Sequence, residues 1–344
     1  MDVCLIYTFQ TEKILRPFSF FDIGKKQDYF DDDATIISFN ESYAQCLRPV
    51  LDSLNKSRSA KHKVSLFLCG NSIELLHSQQ KKSIDTIKKL IEKGKLELLG
   101  GPFHNSMSSI FSKKIFIHEV KKHKKIMKKI FGVQPTCMTN SENIFSYGLA
   151  DTFSDLGFKS VLAPLINWYL GDHIHQRAFH SGVGKLSLLL ADHKLHPGVF
   201  TNLAKTENFT LRVLQVDKGH EVDEKDWKAL FSARTKTSTF ITATEAVKKH
   251  QNSANYRIPE LVALNAYDQD LSVLVGEPMQ KELLKKLKFL AANSDKWTQF
   301  DLLAELGSST RFKAISNRLN SDVTNTTRTY LNLMDILSDL ELGL

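Results

Sequence analysis

Short apolar runs alternating with helix-patterned stretches constrain this chain more than any other feature. Strand-length runs fall at 3–9, 64–69, 96–99, 134–139, 160–163, 186–190, 211–216 and 240–242. Helical spacing occupies much of the intervening sequence, at 41–54, 83–93, 114–131, 147–156 and 225–231. That order predicts an α/β fold with a mostly parallel sheet. Gly94 and Gly132 each stop a lysine-rich helix just before a strand. Beyond about residue 275 the pattern becomes purely helical, through 280–292, 298–306 and 326–342. Residues 17–39 and 164–185 read as long connections of the kind that shape a substrate cleft.

At 344 residues, with 42% hydrophobic content and 22 Phe, the chain can fill one barrel-sized core and carry a helical extension. The formal charge of +8 raises the question of nucleic acid. The lysines at 81–95 and 120–131, however, lie opposite Ile84, Ile87, Ile91, Val120, Met127 and Ile130 at helical spacing. They read as the solvated faces of outer helices, with no aromatic platform among them, so no nucleic-acid partner is expected. No apolar run is long enough to cross a bilayer, and no membrane partner is expected either. The start of the chain lacks a basic n-region and reads as a first buried strand. Cys4, Cys46, Cys69 and Cys137 show no Cys-x-x-Cys spacing, which fits reduced, packed thiols in a cytoplasmic protein.

The segment from Phe131 to Phe145 concentrates the functional signal. A basic helix ends at Gly132, a strand led by Pro135 follows, and it stops at Thr139-Asn140-Ser141-Glu142 before another helix. A carboxylate at the carboxyl end of a parallel strand is where α/β barrels keep catalytic groups. The alternative reading makes Glu142 a cap of the next helix, with Ser141 before it.

Phe131-Gly132-x-x-Pro135, Asn140-Ser141-Glu142-Asn143-Ile144 and Leu156-Gly157-Phe158-Lys159 together resemble glycoside hydrolase family 57, the α-amylase-like enzymes of α-glucans. Gly70-Asn-Ser-Ile-Glu74, Ser106-Met-Ser-Ser-Ile-Phe-Ser112 and Asp270-Leu271-Ser272 extend the likeness over most of the chain. The resemblance implies an incomplete TIM-like (β/α)7 barrel over residues 1–275, followed by a C-terminal helical region over 276–344 packed on it. It also implies an α-glucan or oligosaccharide substrate, no cofactor or metal, and a retaining mechanism with carboxyl groups about 5–5.5 Å apart. Glu142 sits in the slot of the family's nucleophile. The acid/base falls on Asp217 if the strands are aligned, or on Leu214 if the following glycines are aligned without gaps. Asp217 ends an apolar strand, whereas Leu214 lies an odd number of residues away and so faces the other side. Asp217 also reads as a plain turn residue before Gly219. Substrate contacts are expected from Glu12, Arg16, Glu74, His104, Asn105 and Trp168.

Several family positions are substituted. Glu12 stands in a histidine slot while Arg16 is kept, and Asn105 replaces a histidine, with His104 one step off. The arginine expected two residues before the Asn-Ser-Glu motif is Met138 by strict counting, or Thr139 by proximity. Leu264-Asn-Ala266 stands where the family has a tryptophan-bearing segment. Two functions follow: a weakened retaining glycosidase, or an inactive α-glucan-binding or glycogen-metabolism partner protein with Trp168, Tyr169 and Trp227 as stacking platforms. A metal-dependent deacetylase is disfavoured. His173 with His175, His118 with His123, and His193 with His196 do not form convergent ligand sets. Neither a Gly-x-Ser-x-Gly elbow nor a phosphate-binding glycine loop occurs.

Overall fold

The structure is a computed structural model that describes residues 1–25, 27–173, 175–192, 210–217, 227, 239–264 and 270–343, without the side chains of Asp172, Asp217 and Ser253. Among the described residues, seven parallel strands close into a barrel, and a further short strand, Thr239–Ile241, pairs in parallel with the start of the first of them. The seven are β1 (Asp2–Phe9), β2 (Val64–Leu68), β3 (Leu96–Leu99), β4 (Cys137–Met138), β5 (Ser160–Pro164), β6 (Ser187–Ala191) and β7 (Leu211–Asp217). β1 pairs with β2 through Ile6↔Ser65 and with β7 from Asp2↔Leu211 to Thr8↔Asp217. β2 pairs with β3, β4 with β5, and β5 with β6.

Two seams complete the ring. The Gly100 N–H donates to the Cys137 carbonyl, and the Thr139 N–H donates to the Gly100 carbonyl, both at 2.9 Å, which joins β3 to β4. Between β6 and β7 the Asp192 N–H donates to the Val213 carbonyl at 2.9 Å. The buried Asp192 carboxylate then accepts from the Val213 N–H at 3.0 Å, from Arg177 Nε at 2.6 Å and from Arg212 Nε at 2.9 Å. This ion pair does at the second seam what backbone pairing does elsewhere.

Strand alternation sorts the core into layers. Cys4, Ile6, Phe67, Leu99, Cys137 and Val213 fill the barrel interior. Leu5, Tyr7, Leu66, Leu98, Leu214 and Val216 pack outward against the helices. Helix α2 (Lys113–Phe131) follows α1 (Gly70–Gln79) in this outer layer. Ser112 caps α2 by accepting from the Ile115 N–H at 3.4 Å, and Gly132 ends it at φ 74°, a left-handed conformation that suits glycine. After the barrel come α3 (Pro278–Asn293), α4 (Trp297–Leu306), α5 (Ser309–Ala314) and α6 (Val323–Leu342). Their apolar faces form one cluster with Phe18, Met107, Phe111, Ile115 and Ile144, which lays the helices on the barrel. All four cysteines are buried and free. No helix among the described residues is long and apolar enough to cross a membrane.

The incomplete barrel with its C-terminal helices agrees with the expected fold class. Three local expectations need correction. The strand expected at 134–139 is ordered as β4 only at Cys137–Met138, because Pro135 has no N–H to offer a ladder. The connection expected at 17–39 contains the start of helix Asp32–Ser42, capped by the Asp31 side chain accepting from the Ala34 N–H at 2.9 Å. The connection expected at 164–185 carries a short helix, Asn167–Leu170, and a strand, Ala178–His180, antiparallel to β6. Of the helix expected at 225–231, all but Trp227 lies outside the described residues.

Gly101 sits where the first seam meets the loop after β4. A Cβ there would lie 2.6 Å from the Phe67 ring and 2.7 Å from the Thr139 carbonyl oxygen. Gly101→Ala is therefore expected to destabilise the fold by about 1–3 kcal/mol, read by urea unfolding. Unchanged stability would mean that this contact is not tight.

Candidate active site

Glu142 lies four residues beyond the end of β4, at the carboxyl mouth of the barrel. Its loop is built by asparagines. Asn140 accepts from the Ser141 N–H at 2.9 Å and donates through Nδ2 to the Ile144 carbonyl at 2.9 Å. Ser141 Oγ donates to the Asn105 carbonyl at 3.0 Å. Asn143 accepts from Thr139 Oγ1 at 2.7 Å and donates to Gln215 Oε1 of β7 at 2.6 Å. The described non-glycine residues with positive φ are Asn105, Glu142 and Asn143, all at 51° and all in this one region. Asparagine tolerates that conformation, but for glutamate it costs roughly 1–2 kcal/mol. Strain of this kind clusters at functional sites.

The Glu142 side chain is 4% exposed. Its Oε1 accepts from Ser309 Oγ at 2.8 Å and from Lys313 Nζ at 2.6 Å, both on α5. The helix that follows, Tyr147–Asp155, has Ser146 at its N-cap. Glu142 is therefore not that helix's cap, and the capping alternative fails. Thr8, Gln10, Phe67, Asn105, Thr139, Asn140 and Gln215 join Glu142 around a cavity of about 20 Å³, room for roughly one water molecule. Asn105 Nδ2 donates to Gln10 Oε1 across it.

Asp217 closes β7, opposite Thr8 in register. Its position belongs to the same alternate set as Val213 in the interior and Gln215 at the cavity, but its side chain lies outside what is described. Leu214 belongs to the other set and packs in the outer layer, away from the cavity.

The remaining candidates are dispersed. Glu74 is exposed on α1 and lines a second pocket of about 290 Å³ with His104, Asn71, Lys122, Asp301 and Glu305. Glu12, half buried, and Arg16, exposed, follow β1 and line neither pocket. Trp168 is 74% exposed on its short helix, edge-on to Tyr169, and also lines neither. Trp227, a possible stacking platform by sequence, is 0% exposed and packs edge-on against Tyr7 in the outer core. It is a core residue. His193 and His196 lie outside the described residues, and among those described no group of three His, Cys, Asp or Glu could hold a metal.

His104 is engaged by protein groups. Its backbone N–H donates to Glu119 Oε1 at 2.8 Å, and its ring Nδ1 bonds Glu305 Oε2 of α4 at 2.7 Å. Its Nε2 stands 3.6 Å from Asp301 Oδ1, an ion-pair distance too long for a hydrogen bond. Burial disfavours the imidazolium, yet Asp301, Glu305 and Glu119 outweigh that penalty and raise its pKa to about 9. Burial likewise opposes ionised Glu305, yet His104, Arg311 and Asn71 lower it to about 2.

Sequence reasoning missed Ser309, Lys313, Gln10, Gln215 and Glu305. The one available signal was Gly307-Ser308-Ser309, a helix restart inside the helical region.

The family model described as "Glycosyl hydrolase family 57" matches residues 12–259. A Methanocaldococcus jannaschii protein named "Putative alpha-amylase" is 23% identical over 279 residues, 71% of this chain and 60% of that protein. The crystal structure of 4-alpha-glucanotransferase from Thermococcus litoralis superposes with a TM-score of 0.57 at 14% identity, over 97% of this chain and 53% of that one. The GH57-type branching enzyme of Pyrococcus horikoshii superposes with a TM-score of 0.68 at 9% identity, over 97% of this chain and 88% of that one. The chain thus spans 60% and 53% of the length of the first two. It belongs to glycosyl hydrolase family 57.

The His104 cluster sets a pH dependence of stability. A folded pKa raised from 6.5 to about 9 gives a contribution fully present below pH 6.5 and lost as pH rises through 9. Melting temperatures measured from pH 6 to pH 10 are expected to fall in the wild type, and to fall less in His104→Gln. Parallel curves for the two proteins would refute the assignment.

Proposed function

We propose that this chain acts on α-glucan by the two-step retaining mechanism, with Glu142 as nucleophile and Asp217 as acid/base. The observation that carries this reading is the buried, conformationally strained Glu142 carboxylate at the carboxyl mouth of the barrel, on the strand end where such barrels keep catalytic groups. A Glu142 carboxylate oxygen attacks the anomeric carbon. The glycosidic C–O bond breaks as Asp217 gives its proton to the departing oxygen. Asp217 then takes a proton from water, or from an acceptor hydroxyl in transfer. The resulting oxygen attacks the anomeric carbon, and the ester bond to Glu142 breaks to return the carboxylate. Asn105 and Gln10 supply neutral hydrogen-bonding groups beside the reacting centre. Residues 1–275 form the catalytic unit, 276–344 the helical region packed on it, and the setting is cytoplasmic.

The small cavity and the two bonds on Glu142 Oε1 favour weak turnover, and they motivate a second reading as a non-catalytic α-glucan-binding protein. Maltooligosaccharides and α-glucosyl fluoride separate the two readings. Glu142→Gln is expected to lower turnover by about 10³-fold or more, and Asp217→Asn by about 10²–10⁴-fold. No turnover by the wild type, together with measurable glucan binding, would leave only the second reading.

A further inference from the structure

We infer that Lys313 is the positioning residue of the nucleophile: its ammonium and the Ser309 hydroxyl, both from the C-terminal helical region, hold Glu142 ionised and oriented. This inference rests on the reading of Glu142 as the nucleophile. The two groups are four residues apart on α5 and so share one face of the helix. Both converge on the same oxygen, Oε1, at 2.6 Å and 2.8 Å. Two donors on one oxygen fix the plane of the carboxylate as well as its place.

The cation fills a chemical gap. Met138, fully buried in the outer layer, and Thr139 at the cavity, the two residues that could stand in the family's arginine slot, carry no charge. Among the described residues Lys313 is the charged group paired with Glu142. Gln10, Asn105, Thr139 and Gln215 around the cavity are neutral. Ser309 and Lys313 both lie beyond residue 259, where the family match ends. The catalytic carboxylate is thus completed from a stretch of chain that the match does not cover.

Helix α5 is held firmly enough for the role. Arg311 donates through Nε to the Glu305 carbonyl at 3.0 Å and through Nη2 to the Lys13 carbonyl at 2.9 Å. Gln280 Nε2 donates to the Phe312 carbonyl at 3.0 Å. A ladder bridge joins Ser308 to Ser106, next to the Asn105 loop. Lys313 approaches Glu142 from an anchored backbone, and a carboxylate misplaced by about 1 Å loses roughly 10²-fold in rate.

The test uses the full chain with α-glucosyl fluoride. Lys313→Met is expected to lower kcat by about 10²-fold with KM little changed, and to move the acid limb of the pH profile upward. Lys313→Arg is expected to restore most of the rate. Wild-type kcat and pH profile in Lys313→Met, or an arginine variant no better than the methionine one, would overturn the inference. If Lys313→Met does not fold, the Glu142→Gln/Lys313→Met double variant is expected to fold, because it leaves no unpaired buried charge. Lys313→Arg against wild type then reads the role: an unchanged pH profile with most of the rate supports it, and a rate lost to the level of Glu142→Gln refutes it. Should the wild type not turn over the fluoride at all, the catalytic reading fails separately. Carbon-13 titration of Glu142 then decides the pairing: a higher midpoint in Lys313→Met than in wild type supports it, and equal midpoints sink it.

Discussion

Opposite charges meeting across the barrel mouth hold this molecule in its working shape. Glu142 of the barrel faces Lys313 of α5, and His104 of the barrel faces Glu305 of α4. Each carboxylate is almost fully buried, and a bare ion there would cost several kcal/mol. The partner cannot be spared once the site is closed. Apolar packing of α3 to α6 brings the helices to the barrel, but it is direction-blind. The ion pairs set where the helices stop and which side chains they present. Arg311, bonded to the Glu305 carbonyl and lying between Ser309 and Lys313 on α5, ties the two pairs into one unit.

The alternation of strand and helix was legible because it is written in local pattern. β1, β2, β3, β5, β6 and β7 fall within a residue or two of their apolar runs, and Gly132 stops α2 as its position implies. Legibility failed where tertiary contacts decide. Residues 32–42 look polar and loop-like, yet an aspartate cap and a neighbouring core turn them into a helix. At the site, Glu142 was legible from its place after a strand. Lys313 was not, because a single lysine on a six-residue helix carries no pattern, and its partner stands 171 residues away. Trp227 shows the converse: an aromatic of the kind used to stack sugars that spends its surface on the barrel's outer layer.

The side chains that line the cavity beside Glu142 share one chemical character: they are neutral. Gln10, Asn105, Asn140 and Gln215 supply amides to that lining. Amides satisfy one another, as Asn105 does with Gln10 and Asn143 with Gln215. Such a lining is cheap to bury and insensitive to pH, but it gives a developing charge less help than ions would. The cation paired with Glu142 among the described residues comes from outside the barrel.

That arrangement has a consequence for how the protein is made. At ribosomal speeds of about 5–20 residues per second, the 171 residues between Glu142 and Lys313 take roughly 9–34 s to emerge. Through that interval the nascent barrel has a carboxylate whose cation has not yet been synthesised. Its mouth must stay hydrated and open until α5 arrives, so the site is sealed only after that helix has been made.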